Sequence, residues 1–144
     1  PEVIAPRNGM VIRIAPGRAE TVGEVPTGRL VIDGDVVVPL GDAGLVERKR
    51  LMYNGHVVVT LIADRQGDLL TPAGIVIQGL PLGDATDTPE ILSEAADAAV
   101  EALKSRERRD PELAKEAARI AVRRACRTLF GKRPVVDVQH TVIE

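Results

Sequence analysis

His56-Val57-Val58-Val59-Thr60-Leu61-Ile62-Ala63, set between Asn54-Gly55 and Asp64-Arg65-Gln66-Gly67-Asp68, decides how the rest of the chain is arranged. From Val57 to Ile62 nearly every residue is β-branched or aliphatic, and turn formers bound the run on both sides. A strand with one wet face would alternate, so this continuous run predicts a strand buried on both faces. Such a strand needs cover, and the residues that follow it supply the material.

A second run begins at Leu69-Leu70, is broken by Thr71-Pro72-Ala73-Gly74, and resumes at Ile75-Val76-Ile77-Gln78. Proline cannot donate to a ladder, so the break reads as an edge or a bulge. Residues 80–88, with Pro81, Gly83, Asp84 and Asp87, read as a loop. Two helices follow, each opened by the same device. Thr88-Pro89-Glu90 sets a capping hydroxyl before proline, and Asp110-Pro111-Glu112 does so with a carboxylate. The spacing predicts that the first helix buries Ile91, Leu92, Ala95, Ala99 and Leu103, and the second Leu113, Ala117, Ala121, Val122, Ala125 and Leu129. Gly131 stops the second helix. Beyond Pro134, Val136, Val138, His140 and Val142 alternate with Val135, Asp137, Gln139 and Thr141, as in a strand with one buried face. The fold class expected is α+β: a small mixed sheet packed against two α-helices in the order β-β-α-α-β.

Ahead of this unit, residues 1–40 read as three or four short strands that need a larger sheet to join. Arg7-Asn8-Gly9 is a turn signal, and Met10-Val11-Ile12-Arg13-Ile14 a strand ended by Ala15-Pro16-Gly17. Asp33-Gly34 between Arg29–Ile32 and Val36–Leu40 predicts a hairpin with a type I′ turn. Gly41-Asp42-Ala43-Gly44 marks a boundary, and Leu45 to Tyr53 a helical turn leading into the central strand. Pro1 is an unusual first residue, and the expectation is a segment of a longer chain.

With 144 residues, 44% hydrophobic and 28% charged, the chain has the composition of a globular protein. Its apolar runs fall well short of the ~20 residues of a membrane-spanning helix, and a cytoplasmic location without membrane contact is expected. One cysteine, Cys126, excludes an internal disulfide and a thiolate metal cage. Its neighbours Ala121, Val122, Ala125 and Leu129 predict a buried, unreactive thiol. A net charge of −2 with one tyrosine, one phenylalanine and no tryptophan disfavours a stacking platform for single-stranded nucleic acid. His56 and His140 stand apart from any metal-ligand spacing, no phosphate-cradling glycine motif occurs, and no catalytic residue is assigned.

Charge is better ordered. Glu90, Glu94, Asp97 and Glu101 fall in one narrow arc of the first helix, and Lys115, Arg119, Arg123 and Arg127 follow at four-residue steps on the second. Solvated faces with local ion pairs are the simplest account. A sharper one places the stripes against a second subunit or partner domain and makes Arg123, Arg124, Arg127, Lys132 and Arg133 contacts to RNA phosphate.

The phrases Asn8-Gly9-Met10-Val11-Ile12, Gly28-Arg29-Leu30-Val31-Ile32-Asp33-Gly34, Val46-Glu47-Arg48, Asn54-Gly55-His56-Val57-Val58-Val59, Gly67-Asp68-Leu69-Leu70-Thr71-Pro72 and Lys132-Arg133-Pro134-Val135-Val136, in that order, resemble the carboxy-terminal third of the bacterial ribonuclease J family. That resemblance implies a parent with a metallo-β-lactamase core and an inserted β-CASP domain. Residues 1–40 would then be the end of the core and its linker, and 41–144 the carboxy-terminal domain. It also implies a zinc-dependent 5′-to-3′ exonuclease and endonuclease acting in rRNA processing and mRNA decay. The family's His-x-His-x-Asp-His motif has no match here, so no cofactor is expected on this segment and zinc is implied for the full-length parent alone. Assembly into dimers or tetramers and support of the RNA channel are the implied roles. Two other readings stand beside it: an autonomous α+β protein-interaction module with no nuclease parent, and a small RNA-binding domain using the basic helix.

Overall fold

The computed structural model describes residues 3–83 and 86–143; Pro1, Glu2, Asp84, Ala85 and Glu144 lie outside the described residues, and with them part of the loop expected over 80–88. The chain divides into two compact units, Pro1–Leu45 and Val46–Glu144.

The first unit is two antiparallel hairpins. Strand β1 (Met10–Ala15) pairs with β2 (Arg18–Glu24), with a bulge between Val11 and Ile12. β1 runs one residue past the expected strand, and of the three or four short strands expected over 1–40 β2 is the one with no apolar run to mark it, its Arg-Ala-Glu-Thr-Val-Gly-Glu being too polar to read as a strand. Gly9, at φ +90°, turns the chain into β1, where a Cβ would stand 2.8 Å from the Val25 carbonyl oxygen. Strand β3 (Leu30–Asp33) pairs with β4 (Val36–Pro39). Asp33 and Val36 face each other, so the turn is Gly34-Asp35, one residue later than expected. Only Gly34 has positive φ, which excludes the type I′ turn, since that type needs it at both central residues.

In the second unit a three-stranded sheet of order β6-β5-β7 is formed by β5 (His56–Ala63), β6 (Gly74–Gln78) and β7 (Val135–Val142). Strand β5 is antiparallel to β6 and parallel to β7. The crossover between β5 and β7 carries α2 (Thr88–Glu101), the short α3 (Ser105–Arg108) and α4 (Pro111–Phe130). The β-β-α-α-β order therefore holds, with one short helix added, and the protein is α+β. The helical turn expected before β5 is α1 (Ala43–Asn54), three turns long and without a buried residue. It ends at Gly55, φ +77°, where a Cβ would stand 2.8 Å from Leu80 Cδ2.

The core forms where Val57, Val59 and Leu61 of β5 and Val136 and Val138 of β7 meet Leu92, Ala96 and Val100 of α2 and Ala114, Ala118, Val122 and Cys126 of α4. Each fully buried aliphatic side chain there contributes on the order of 1.5–3 kcal/mol. Cys126 is buried as expected, and burial pushes its thiol up to about 11.

Two expectations are corrected. Strand β5 is buried on one face only: Val57, Val59, Leu61 and Ala63 are fully enclosed, while His56, Val58, Thr60 and Ile62 are half-buried. Within this unit the second face is flanked by β6 and β7, and Val76 beside it is 55% exposed. The helices are also rotated from the predicted faces. Leu92 and Val122 are core residues as expected, but the rest of the buried rows are Thr88, Ala96 and Val100 on α2 and Ala114, Ala118 and Cys126 on α4. Ile91, Ala95, Ala99, Leu103, Ala117, Ala121 and Ala125 are only partly covered, and Leu113 and Leu129 are 46% and 43% exposed. Apolar residues stand in adjacent rows on both helices, so spacing fits either row, and only packing against the sheet selects Ala96 and Val100 over Ala95 and Ala99, and Ala114 and Ala118 over Leu113 and Ala117.

The helix starts differ as well. Asp110 caps α4 as predicted, its carboxylate accepting from the backbone N–H groups of Glu112 and Leu113, and Gly131 closes the helix in the left-handed conformation. In α2 the N-cap is Asp87, without a side-chain cap bond, and Thr88 lies buried inside the first turn.

Candidate functional site

At 100° per residue, the core rows fix where every other helix residue points. On α2 the side next to β6 carries Ser93 and Asp97. Ser93 Oγ donates to the Ala73 carbonyl (2.7 Å), and the Asp97 carboxylate accepts from the Ala73 N–H (3.0 Å). The pair holds both backbone polar groups of one residue, Ala73, at the strand break after Pro72. Burial, opposed by that N–H bond and aided by nearby Glu101, raises the Asp97 carboxyl above its ordinary value. Asp97 is thus a structural member of the predicted acidic arc, while Glu90, Glu94 and Glu101 are exposed.

The side of α4 next to β7 carries Lys115 and Arg119. Arg119 Nε donates to the Val136 carbonyl (3.3 Å), covering one acceptor on the outer edge of β7. Unpaired strand edges invite foreign strands, and a cation laid along one blunts that tendency. Lys115 pairs with Glu112 (2.6 Å) and Arg119 with Glu116. The basic stripe is therefore partly neutralised along its own helix.

The five predicted phosphate contacts do not converge. Arg123 and Arg124, adjacent on the helix, point 100° apart: Arg123 is half-buried, while Arg124 lines a groove against α2. Arg127 and Arg133 are exposed, and Lys132 Nζ donates to the Tyr53 carbonyl (2.7 Å), satisfying the last turn of α1. Of the five, Arg127 lies in the last turn of α4 and Lys132 and Arg133 just beyond it, where positive charge complements the helix dipole.

The histidines and the cysteine do not fit a metal centre. His56 Nε2 meets Asp137 Oδ2 at 2.7 Å across β5 and β7 on the open sheet face. His140 projects to the helix side, where both ring nitrogens are shielded and have no hydrogen-bond partner among the described residues; burial, with Lys115 nearby, lowers its pKa. Cys126 is in the core. Among the described residues no three His, Cys, Asp or Glu side chains gather as a metal site.

What the sequence reading missed is an apolar groove of about 370 Å³ on the outer side of the helix layer, lined by Ile91 and Ala95 of α2 and Ala121, Arg124, Ala125 and Leu129 of α4. Its signal was present. Each helix carries more apolar residues than one sheet-facing row uses, and the surplus was assigned to the core.

The comparisons with known proteins follow the same segment. The family described as Ribonuclease J C-terminal domain matches residues 43–142. The ribonuclease J of Sinorhizobium meliloti is 37% identical over 99% of this chain, and that of Mycolicibacterium smegmatis 27% identical over 99%. The Thermus thermophilus ribonuclease J is 28% identical over 90% of the chain. The chain spans about a quarter of the length of these relatives: 26%, 25% and 22%. On that match, carried by a sheet, a crossover and a helix pair whose order agrees with the sequence, the chain belongs to the ribonuclease J family and contains its carboxy-terminal domain.

Proposed function

We propose that this chain is the assembly portion of a ribonuclease J enzyme: it joins copies of a larger RNA-degrading protein and supports the RNA channel, while catalysis resides in the rest of the parent. Residues 1–40 are then the end of the metallo-β-lactamase core and its linker, and zinc belongs to that parent core. The parent's reaction is hydrolysis of RNA phosphodiesters by metal-activated water, exonucleolytic from the 5′ end and endonucleolytic, in cytoplasmic RNA processing and decay. The observation that carries the reading is uncovered apolar surface on the helix layer: Leu113 and Ile120, which share one side of α4, are 46% and 48% exposed, and Ile91, Ala95, Ala121, Ala125 and Leu129 line a groove between α2 and α4, on a domain whose family is that of a nuclease. Apolar side chains left uncovered beside such a groove mark a contact surface. Arg123, Arg124, Arg127, Lys132 and Arg133 are supplementary candidates for phosphate contact.

The reading is tested on the full-length parent with and without residues 43–142. Loss of the oligomer and slower RNA degradation, with metal content unchanged, is the expected result. A truncated enzyme of the same oligomeric size and the same rate would refute it.

A further inference from the structure

We propose that, independently of the assembly described above, the outer edge of β6 takes up an extended, lysine- or arginine-rich segment of another protein as a fourth strand, seated in an acidic groove beside α2. Backbone direction identifies the open edge. Val135 N–H donates to the Gly55 carbonyl and Ile143 N–H to the Ala63 carbonyl, so the odd-numbered residues along β5 turn their polar groups toward β7. Alternation turns the even-numbered ones toward β6, and the Leu70 N–H bond to the Ile62 carbonyl agrees with that direction. Their partners in the register are Gly74, Val76 and Gln78. Ile75 and Ile77 therefore aim their N–H and C=O groups away from the sheet, on the side where no strand follows β6.

Other edge positions are occupied. Arg119 covers the Val136 carbonyl on β7, and Ser93 and Asp97 take both polar groups of Ala73, two residues before Ile75. An edge left open in this way is a template for strand addition. The groove alongside selects the occupant. It encloses about 410 Å³, with Pro72, Ile75 and Pro89 as apolar lining and Glu90, Glu94 and Asp97 along the α2 wall. Neither Glu90 nor Glu94 has an ion pair among the described residues, whereas Glu112 and Glu116 of α4 are matched by Lys115 and Arg119. Alternate side chains of an added strand face the helix layer. Lysine or arginine there lays its stem along Ile75 and Pro89 and brings its charge to Glu90 and Glu94. An acidic segment would be repelled, and a second copy paired through β6 would set the glutamates of both chains face to face.

The probe is a fluorescently labelled octapeptide alternating lysine with threonine, titrated with the 144-residue chain by anisotropy at low salt. Saturable binding is expected. Amide hydrogen exchange followed by NMR should slow at Ile75 and Ile77, while Val76, already paired with β5, keeps its rate. N-methylation of one alternate set of peptide residues abolishes binding and of the other set leaves it, because only one set turns its N–H groups toward β6. The double variant Glu90→Lys, Glu94→Lys, its fold checked by far-UV circular dichroism, binds the peptide about tenfold more weakly and gains affinity for the octapeptide with glutamate in place of lysine. No saturable binding, equal tolerance of both N-methylated peptides, or unchanged affinity in the glutamate variant overturns the proposal. So does slowed exchange at Ile75 and Ile77 with rising chain concentration alone, which would give this edge to a second copy.

Discussion

Strand β5 offers a sharp contrast, since adjacent residues face opposite environments. Val59 is fully buried against the helices, and Val58 looks out from the open sheet face, where Asp137 of β7 is its direct partner. Lysine at position 59 forfeits the burial of a valine, about 2 kcal/mol, and must desolvate an ammonium group or bend its stem out through the core, a further several kcal/mol. The sum is comparable with the whole stability of an ordinary domain, about 5–15 kcal/mol. Lysine at position 58 keeps its charge in water and gains a carboxylate directly across the ladder, so Val58→Lys costs no more than about 1 kcal/mol. Urea titrations of both variants, followed by far-UV circular dichroism because the chain lacks tryptophan, separate the cases. Val59→Lys is expected to be largely unfolded in buffer, and Val58→Lys to show a transition near that of wild type. Equal and severe losses would mean that β5 is covered on both faces after all; equal tolerance would mean that the core lies elsewhere.

Three further outcomes follow from the same structure. The Cys126 thiol, buried and raised to about 11, is expected to resist a disulfide reagent at pH 8 in the native protein and to react promptly in urea; fast native reaction would contradict its burial. His140 has a lowered pKa in the fold, so the unfolded chain binds the proton more readily. Its stabilising contribution is present above the unfolded value near 6.5 and is lost as pH falls through the folded value. Denaturation midpoints should decline across that window in the wild type and less in His140→Leu, and identical pH profiles would refute the assignment. Asp110→Ala removes the carboxylate that caps α4 and should cost about 1 kcal/mol by urea midpoint, whereas no change would show that the cap is dispensable.

The sequence was most legible where local chemistry leaves few options. Asp110-Pro111 and Gly131 bound α4 through effects confined to a single turn, and β5 announced itself by its β-branched run. It was least legible where a residue's environment depends on what lies beyond its own element. Val58 and Ile62 are apolar whether a second layer or merely two neighbouring strands screen them. Ile91 and Leu113 fit a helix period as well as Leu92 and Ala114 do, and only packing decides which row meets the sheet. The positively charged side chains at the end of α4 were picked out by composition, yet Arg123 and Arg124 diverge and Lys132 is engaged with Tyr53. Distance along the sequence said nothing of that divergence.

The parallel pairing of β5 with β7 has a temporal consequence. His56 and Asp137, which hydrogen-bond across those strands, are 81 residues apart in the chain, and at ribosomal rates of about 5–20 residues per second several seconds or more pass between their syntheses. During that interval β5 and β6 can form their hairpin, but one margin of β5 has no partner and its greasy side awaits α4. The growing chain is most vulnerable to sticking then, and a chaperone that holds extended apolar segments would find in Val57–Ile62 its natural target.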